Sequence, residues 1–101
     1  MSADTSERHR VARAFGVVLR TARKQRGLSQ EELGESADLD RTYASLLERG
    51  LRTPTLTVLI ELARALHLEP GQLVSDTIQS LHGTNHDHCS PQTVARSSRI
   101  R

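Results

Sequence analysis

A chain of 101 residues is sized for one compact domain with short tails, and 36% apolar with 26% charged residues is the composition of a protein that folds in water. The single cysteine, Cys89, excludes an intrachain disulfide, and no apolar run approaches a membrane span. Met1 to Arg10 lacks the apolar stretch of a signal peptide, so a cytoplasmic chain with no membrane partner is expected. The net charge is only +2, but of the 14 cations all except Lys24 are Arg. Arginine suits bidentate contacts to phosphate and guanine; arginine codons of a GC-rich genome are the other explanation. Charge is also segregated. Arg8, Arg10, Arg13, Arg20, Arg23, Lys24 and Arg26 occur with no acid among them, whereas Glu31, Glu32, Glu35, Asp38 and Asp40 follow with no base. A basic face can therefore exist on a nearly neutral protein.

Residues 1–10 read as a flexible polar arm. From Val11 the pattern becomes helical, with Phe15, Val18, Leu19 and Ala22 on one face and Gly27 as the stop. Ser29 with Glu32 three residues later is a capping box and starts a second helix that ends near Ala37, with Leu33 and Ala37 inward. Asp38-Leu39-Asp40 is a tight turn, and Asp40 is placed to cap a third helix from about Arg41 to Arg49, with Ala44 and Leu47 inward and Gly50 beyond. Thr55 caps a fourth helix with Leu56, Leu59, Ile60, Ala63 and Leu66 on its apolar stripe. Pro70 opens a fifth, whose apolar side is Leu73, Val74, Ile78 and Leu81. Residues 82–101 read as a flexible C-terminal tail. Only Phe15 and Tyr43 are aromatic, and a core of Leu, Val, Ile and Ala suits packed helices.

Two short helices joined by a tight turn have the geometry of a helix-turn-helix, here about residues 29–49. The segment Leu28 to Gly50 (LSQEELGESADLDRTYASLLERG) resembles the phage-repressor-like, Xre-type family, which includes phage repressors, restriction–modification controller proteins and many antitoxins. The similarity continues through Arg52–Leu56, Leu62–Leu66 and Glu69–Leu73, and covers about residues 11–80. It implies an all-α, compact five-helix lambda-repressor-like DNA-binding domain at residues 11–81. It further implies that Arg41, Thr42, Ser45 and Leu46 reach base edges, with Arg41 able to pair with a guanine and Leu46 either touching a thymine methyl or incidental. Gln30, at the start of the second helix, and Arg49, Arg52 and Thr53, after the third, hold phosphates in this reading. Tyr43 meets a phosphate or packs half-buried. Arg23 and Glu48 form a structural ion pair between the first and third helices. Gly34 allows the second and third helices to approach. The chain departs from the family at Asp38, which stands where a glycine is usual, and at Ala44, where a larger aliphatic residue is usual.

A single reading helix contacts few base pairs, so a homodimer is expected, with Val74, Ile78 and Leu81 either forming its interface or closing the core. His82, His86, Asp87, His88 and Cys89 are ligand-type residues, but no second ligand set accompanies them, and no metal site or cofactor is assigned. Arg96, Arg99 and Arg101 could add phosphate attraction, and Arg8 and Arg10 could enter a minor groove. No phosphate-cradling glycine loop, metalloprotease motif or triad is visible, so no enzyme is expected. The leading function is a dimeric repressor that reads a pseudo-palindromic operator on double-stranded DNA. The alternatives are an antitoxin-type autorepressor whose tail binds a toxin protein, and an interaction module without DNA contacts.

Overall fold

The structure, a computed structural model, describes residues 2–82, with side chains from Ser6 onward. Five helices follow in chain order: α1 (Ser2–Gln25), α2 (Gln30–Ser36), α3 (Arg41–Glu48), α4 (Leu56–Ala65) and α5 (Pro70–Leu81). The described residues contain no strand. Each helix sends at least one leucine into a common core. Leu19, Leu33, Leu47, Leu62 and Leu73, together with Leu66 at the end of α4, are wholly buried. Phe15, Ala22, Ala37, Leu59 and Ala63 fill the space between them. Truncating a buried leucine to alanine typically costs about 2–5 kcal/mol, so these six positions carry much of a small domain's stability.

Four of the helix ends share one device. Gly27, Asp38, Gly50 and His67 each have φ between 60° and 77°, the left-handed residue that closes a Schellman cap. In each the following leucine donates its backbone N–H to the carbonyl five residues back: Leu28 to Arg23, Leu39 to Gly34, Leu51 to Leu46 and Leu68 to Ala63. Leu28, Leu39 and Leu68 then pack against the core, so each turn is pinned on both sides. At the helix starts, Ser29 and Glu32 form the expected reciprocal capping box, and Thr55 Oγ1 accepts from the Val58 N–H.

Some expectations need correction. Ser2 to Arg10 is not a flexible arm but the N-terminal part of α1. All of these residues but Ala3 are polar and those from Ser6 to Arg10 are exposed, so they give no apolar stripe. Yet they include no glycine or proline, and adding turns to an existing helix is easy compared with nucleating one. Glu7 and Arg10 also pair at i, i+3 across 3.1 Å. Asp40 is the N-cap residue of α3 but makes no side-chain capping bond. Leu56 leaves the apolar stripe of α4 and is 72% exposed; Leu62 takes the buried position. The predicted tail begins with His82 as the C-cap of α5; residues 83–101, with the His86, Asp87, His88, Cys89, Arg96, Arg99 and Arg101 readings, lie outside the described residues.

Two features lock α1 onto α3. Gly16 lies against the end of α3 so closely that a Cβ would stand 2.7 Å from the Leu47 carbonyl oxygen and 2.6 Å from that of Glu48. Beside it, Arg23 Nε donates to Glu48 Oε2 at 2.6 Å and Nη2 to Oε1 at 3.0 Å, while Nη1 donates to the Leu28 carbonyl at 2.8 Å. The side chains of this ion pair are only 11% and 2% exposed.

Gly16→Ala should lower thermal stability by about 1–3 kcal/mol, because the clash at α3 outweighs the gain in helix propensity. Gly71→Ala, where a Cβ meets nothing within 4 Å, should be neutral or stabilising by up to about 1 kcal/mol. Equal effects of the two substitutions in denaturant melts would contradict the close approach. Arg23→Ala, which leaves the Glu48 carboxylate buried and without its main partner, should cost about 3–5 kcal/mol.

Candidate nucleic-acid interface

The turn between α2 and α3 decides what α3 shows to solvent. Gly34 faces the turn, where a Cβ would come within 2.9 Å of the Leu39 carbonyl oxygen. Asp38 takes the left-handed conformation at φ 60°, a role that Asp fills at lower cost than most residues. With the turn set, Ala44 and Leu47 become fully buried and Glu48 nearly so. The opposite side of the helix is left open. Arg41, Thr42 and Arg49 are exposed, and Ser45 and Leu46 are half-buried.

These five residues border one open cleft of about 390 Å³ between α3 and the start of α2, completed by Ser29, Gln30 and Glu31. The structure thus brings together Arg41, Thr42, Ser45 and Leu46 with Gln30 and Arg49. Among the described residues, Arg41, Arg49 and Arg52 are in no ion pair. Arginines without a protein partner beside hydroxyl and apolar side chains can donate to phosphate oxygens or base edges. Arg52 and Thr53 are exposed on the segment after α3 and do not line the cleft. Tyr43 is half-buried and packs against the core, the second of its two expected environments.

Arg23 and Glu48 meet as an ion pair, but Glu48 has a further partner that the sequence did not disclose. Gln30 Nε2 donates to Glu48 Oε1 at 3.0 Å. Nothing local links positions 18 apart, and only the packing of α2 across α3 puts them in reach.

The third group of candidates lies elsewhere. Val74 and Ile78 on α5 are 43% and 48% exposed, and Leu81 is half-buried. With Val11, Phe15, Pro54 and Leu59 they border an apolar groove of about 280 Å³. Thr53 reaches this groove, so the segment after α3 runs from the cleft toward α5. No helix among the described residues is long and apolar enough to cross a membrane. The toxin-binding alternative rests on residues 82–101, which, His82 apart, lie outside the described residues.

A helix-turn-helix family model matches residues 19–73. An uncharacterized HTH-type transcriptional regulator of Sinorhizobium fredii is 42% identical over 62 residues, spanning 61% of this chain and 80% of the relative. Among solved structures, the restriction-modification controller protein C.AhdI from Aeromonas hydrophila is 44% identical, with a TM-score of 0.60 over 61% of this chain and 94% of that one. The controller protein C.Esp1396I, solved as a tetramer in complex with its natural 35 base-pair operator, is 26% identical, with a TM-score of 0.65 over 71% of this chain and 95% of that one. All are regulators rather than enzymes, and the matched region holds α2, α3 and α4 entire. The chain belongs to the helix-turn-helix family of phage-repressor-like, Xre-type DNA-binding transcriptional regulators.

Proposed function

We propose that this protein is a dimeric repressor that reads a pseudo-palindromic operator by placing α3 in the major groove of double-stranded DNA. The observation that carries this reading is the open face of α3, where Arg41, Thr42, Ser45, Leu46 and Arg49 share one cleft with Gln30 while the reverse face is sealed in the core. In this reading Arg41 donates two N–H groups from one edge of its guanidinium to O6 and N7 of a guanine, a contact worth about 1–3 kcal/mol of discrimination. Thr42 and Ser45 offer hydroxyls to neighbouring base edges, and Leu46 covers a thymine methyl. Gln30, Arg49, Arg52 and Thr53 hold phosphates on either side and set the register without reading sequence. Tyr43, packed beneath, presents its hydroxyl at the margin of the same surface.

One α3 helix reads only a few base pairs, and two related by a two-fold axis read half-sites about 34–36 Å apart. The surface that would join two copies is the apolar groove beside Val74, Ile78 and Leu81. Exposed aliphatic side chains along a groove lose water when a second copy covers them, and a groove shared with its own symmetry mate is the pattern of an isologous interface. The similar controller protein that binds its operator as a tetramer supports assembly from several copies.

Arg41→Ala should relax base preference at one operator position by about 1–3 kcal/mol, whereas Arg52→Ala should weaken binding on all duplexes and reduce the salt slope by about one. Equal losses on selected and random DNA for both variants would remove Arg41 as a reader. Ile78→Asp should yield a monomer by sedimentation with its cooperative melt intact and a lower affinity for the palindromic duplex. A dimer that persists in Ile78→Asp would place the interface elsewhere.

A further inference from the structure

Glu48 makes more bonds than an ion pair requires. Oε2 accepts from Arg23 Nε, and Oε1 accepts from both Arg23 Nη2 and Gln30 Nε2. A carboxylate accepts and cannot donate, so the group facing it on Gln30 must be the amide NH2, and the amide is turned one way only. Gln30 also borders the cleft with Arg41, Thr42 and Arg49. With one amide N–H donated to Glu48, the other is held in a fixed direction.

We propose that Glu48 is a positioning residue for DNA binding: its carboxylate aims the second amide N–H of Gln30 at a backbone phosphate. This rests on the reading of Gln30 as a phosphate ligand given above. Arg23 makes the arrangement workable, because a lone buried carboxylate would repel the phosphate and a paired one does not. An unheld glutamine must surrender rotamer freedom when it grips a phosphate, whereas one already fixed by Glu48 has given it up on folding. Glu48 is the last residue of α3. The same carboxylate therefore ties the phosphate grip on α2 to the helix that reads bases, and keeps the two in register.

The test is the effect of Gln30→Ala on affinity for a duplex selected from random sequence, measured in two backgrounds. One is the natural chain; the other is Arg23→Met with Glu48→Leu, which removes the pair without leaving a buried charge. Gln30→Ala should weaken binding about tenfold in the natural chain and less than about threefold in the apolar background. Equal losses in both backgrounds would overturn the proposal, as would no loss in the natural chain. In the latter case continued effects of Arg41→Ala and Arg52→Ala would leave the DNA-reading function standing. Failure of the natural chain to bind any duplex would remove both. If the apolar background does not fold, 15N relaxation of the unmutated chain decides. The Gln30 side-chain amide should be as rigid as the backbone before DNA is added, unlike those of the exposed Gln25 and Gln79. A Gln30 amide as mobile as these two would overturn the proposal.

Discussion

A carboxylate whose side chain is 2% exposed must find its donors inside the protein, and Glu48 finds them on two other helices. Removing an ion from water costs several kcal/mol, which only near-ideal geometry and full hydrogen bonding offset. Arg23 supplies a two-pronged contact and also satisfies the Leu28 carbonyl in the turn between α1 and α2. The result is a junction that tolerates one arrangement of α1, α2 and α3. If α3 rotated about its axis, the carboxylate would lose its partners and the open face of Arg41, Thr42 and Ser45 would turn away from the cleft. The exposed surface thus depends on a contact that is itself hidden.

Around that junction the chain turns by repetition. Four helices end in the same left-handed residue followed by leucine, and three of those leucines fold back onto the core. Gly27 and Gly50 meet this geometry without strain, and Gly50 is needed twice over, since a Cβ there would stand 2.9 Å from the Cα of Arg13. Asp38 and His67 accept the same conformation at a cost of order 1 kcal/mol each. That cost is tolerable because the cap satisfies carbonyls which the helix end would otherwise leave open, and because Leu39 and Leu68 gain burial. Short helices such as α2, with 7 residues, would not hold alone. They are held by their caps and by the leucine that each contributes inward.

The legible parts of this fold are those governed by neighbours in sequence. Ser29 with Glu32, Gly27, Gly50 and Pro70 are local signals, and each marks an element end where the structure has one. The turn at Asp38 was readable because few side chains suit a left-handed residue. The inward residues of α2 and α3 followed from spacing. Two of the misreadings arise where apolar pattern and burial part company. Ser6 to Arg10 of α1 are exposed and carry no stripe, and Leu56 fits the stripe of α4 by periodicity yet stays open to solvent.

The sequence by itself determined five helices, most of their ends, the family and the set of side chains on the open face of α3. Spacing and capping are properties of adjacent residues, so no third dimension is needed to see them. Tertiary structure alone decided what depends on distant residues coming together. It set Gly16 against the end of α3, joined Gln30 to the carboxylate already held by Arg23, and gathered Val11, Pro54 and Ile78 around one apolar groove. A hydrogen bond between residues 18 positions apart, or a clash with a carbonyl on another helix, leaves no periodic trace along the chain. Such contacts come into being only when whole helices pack.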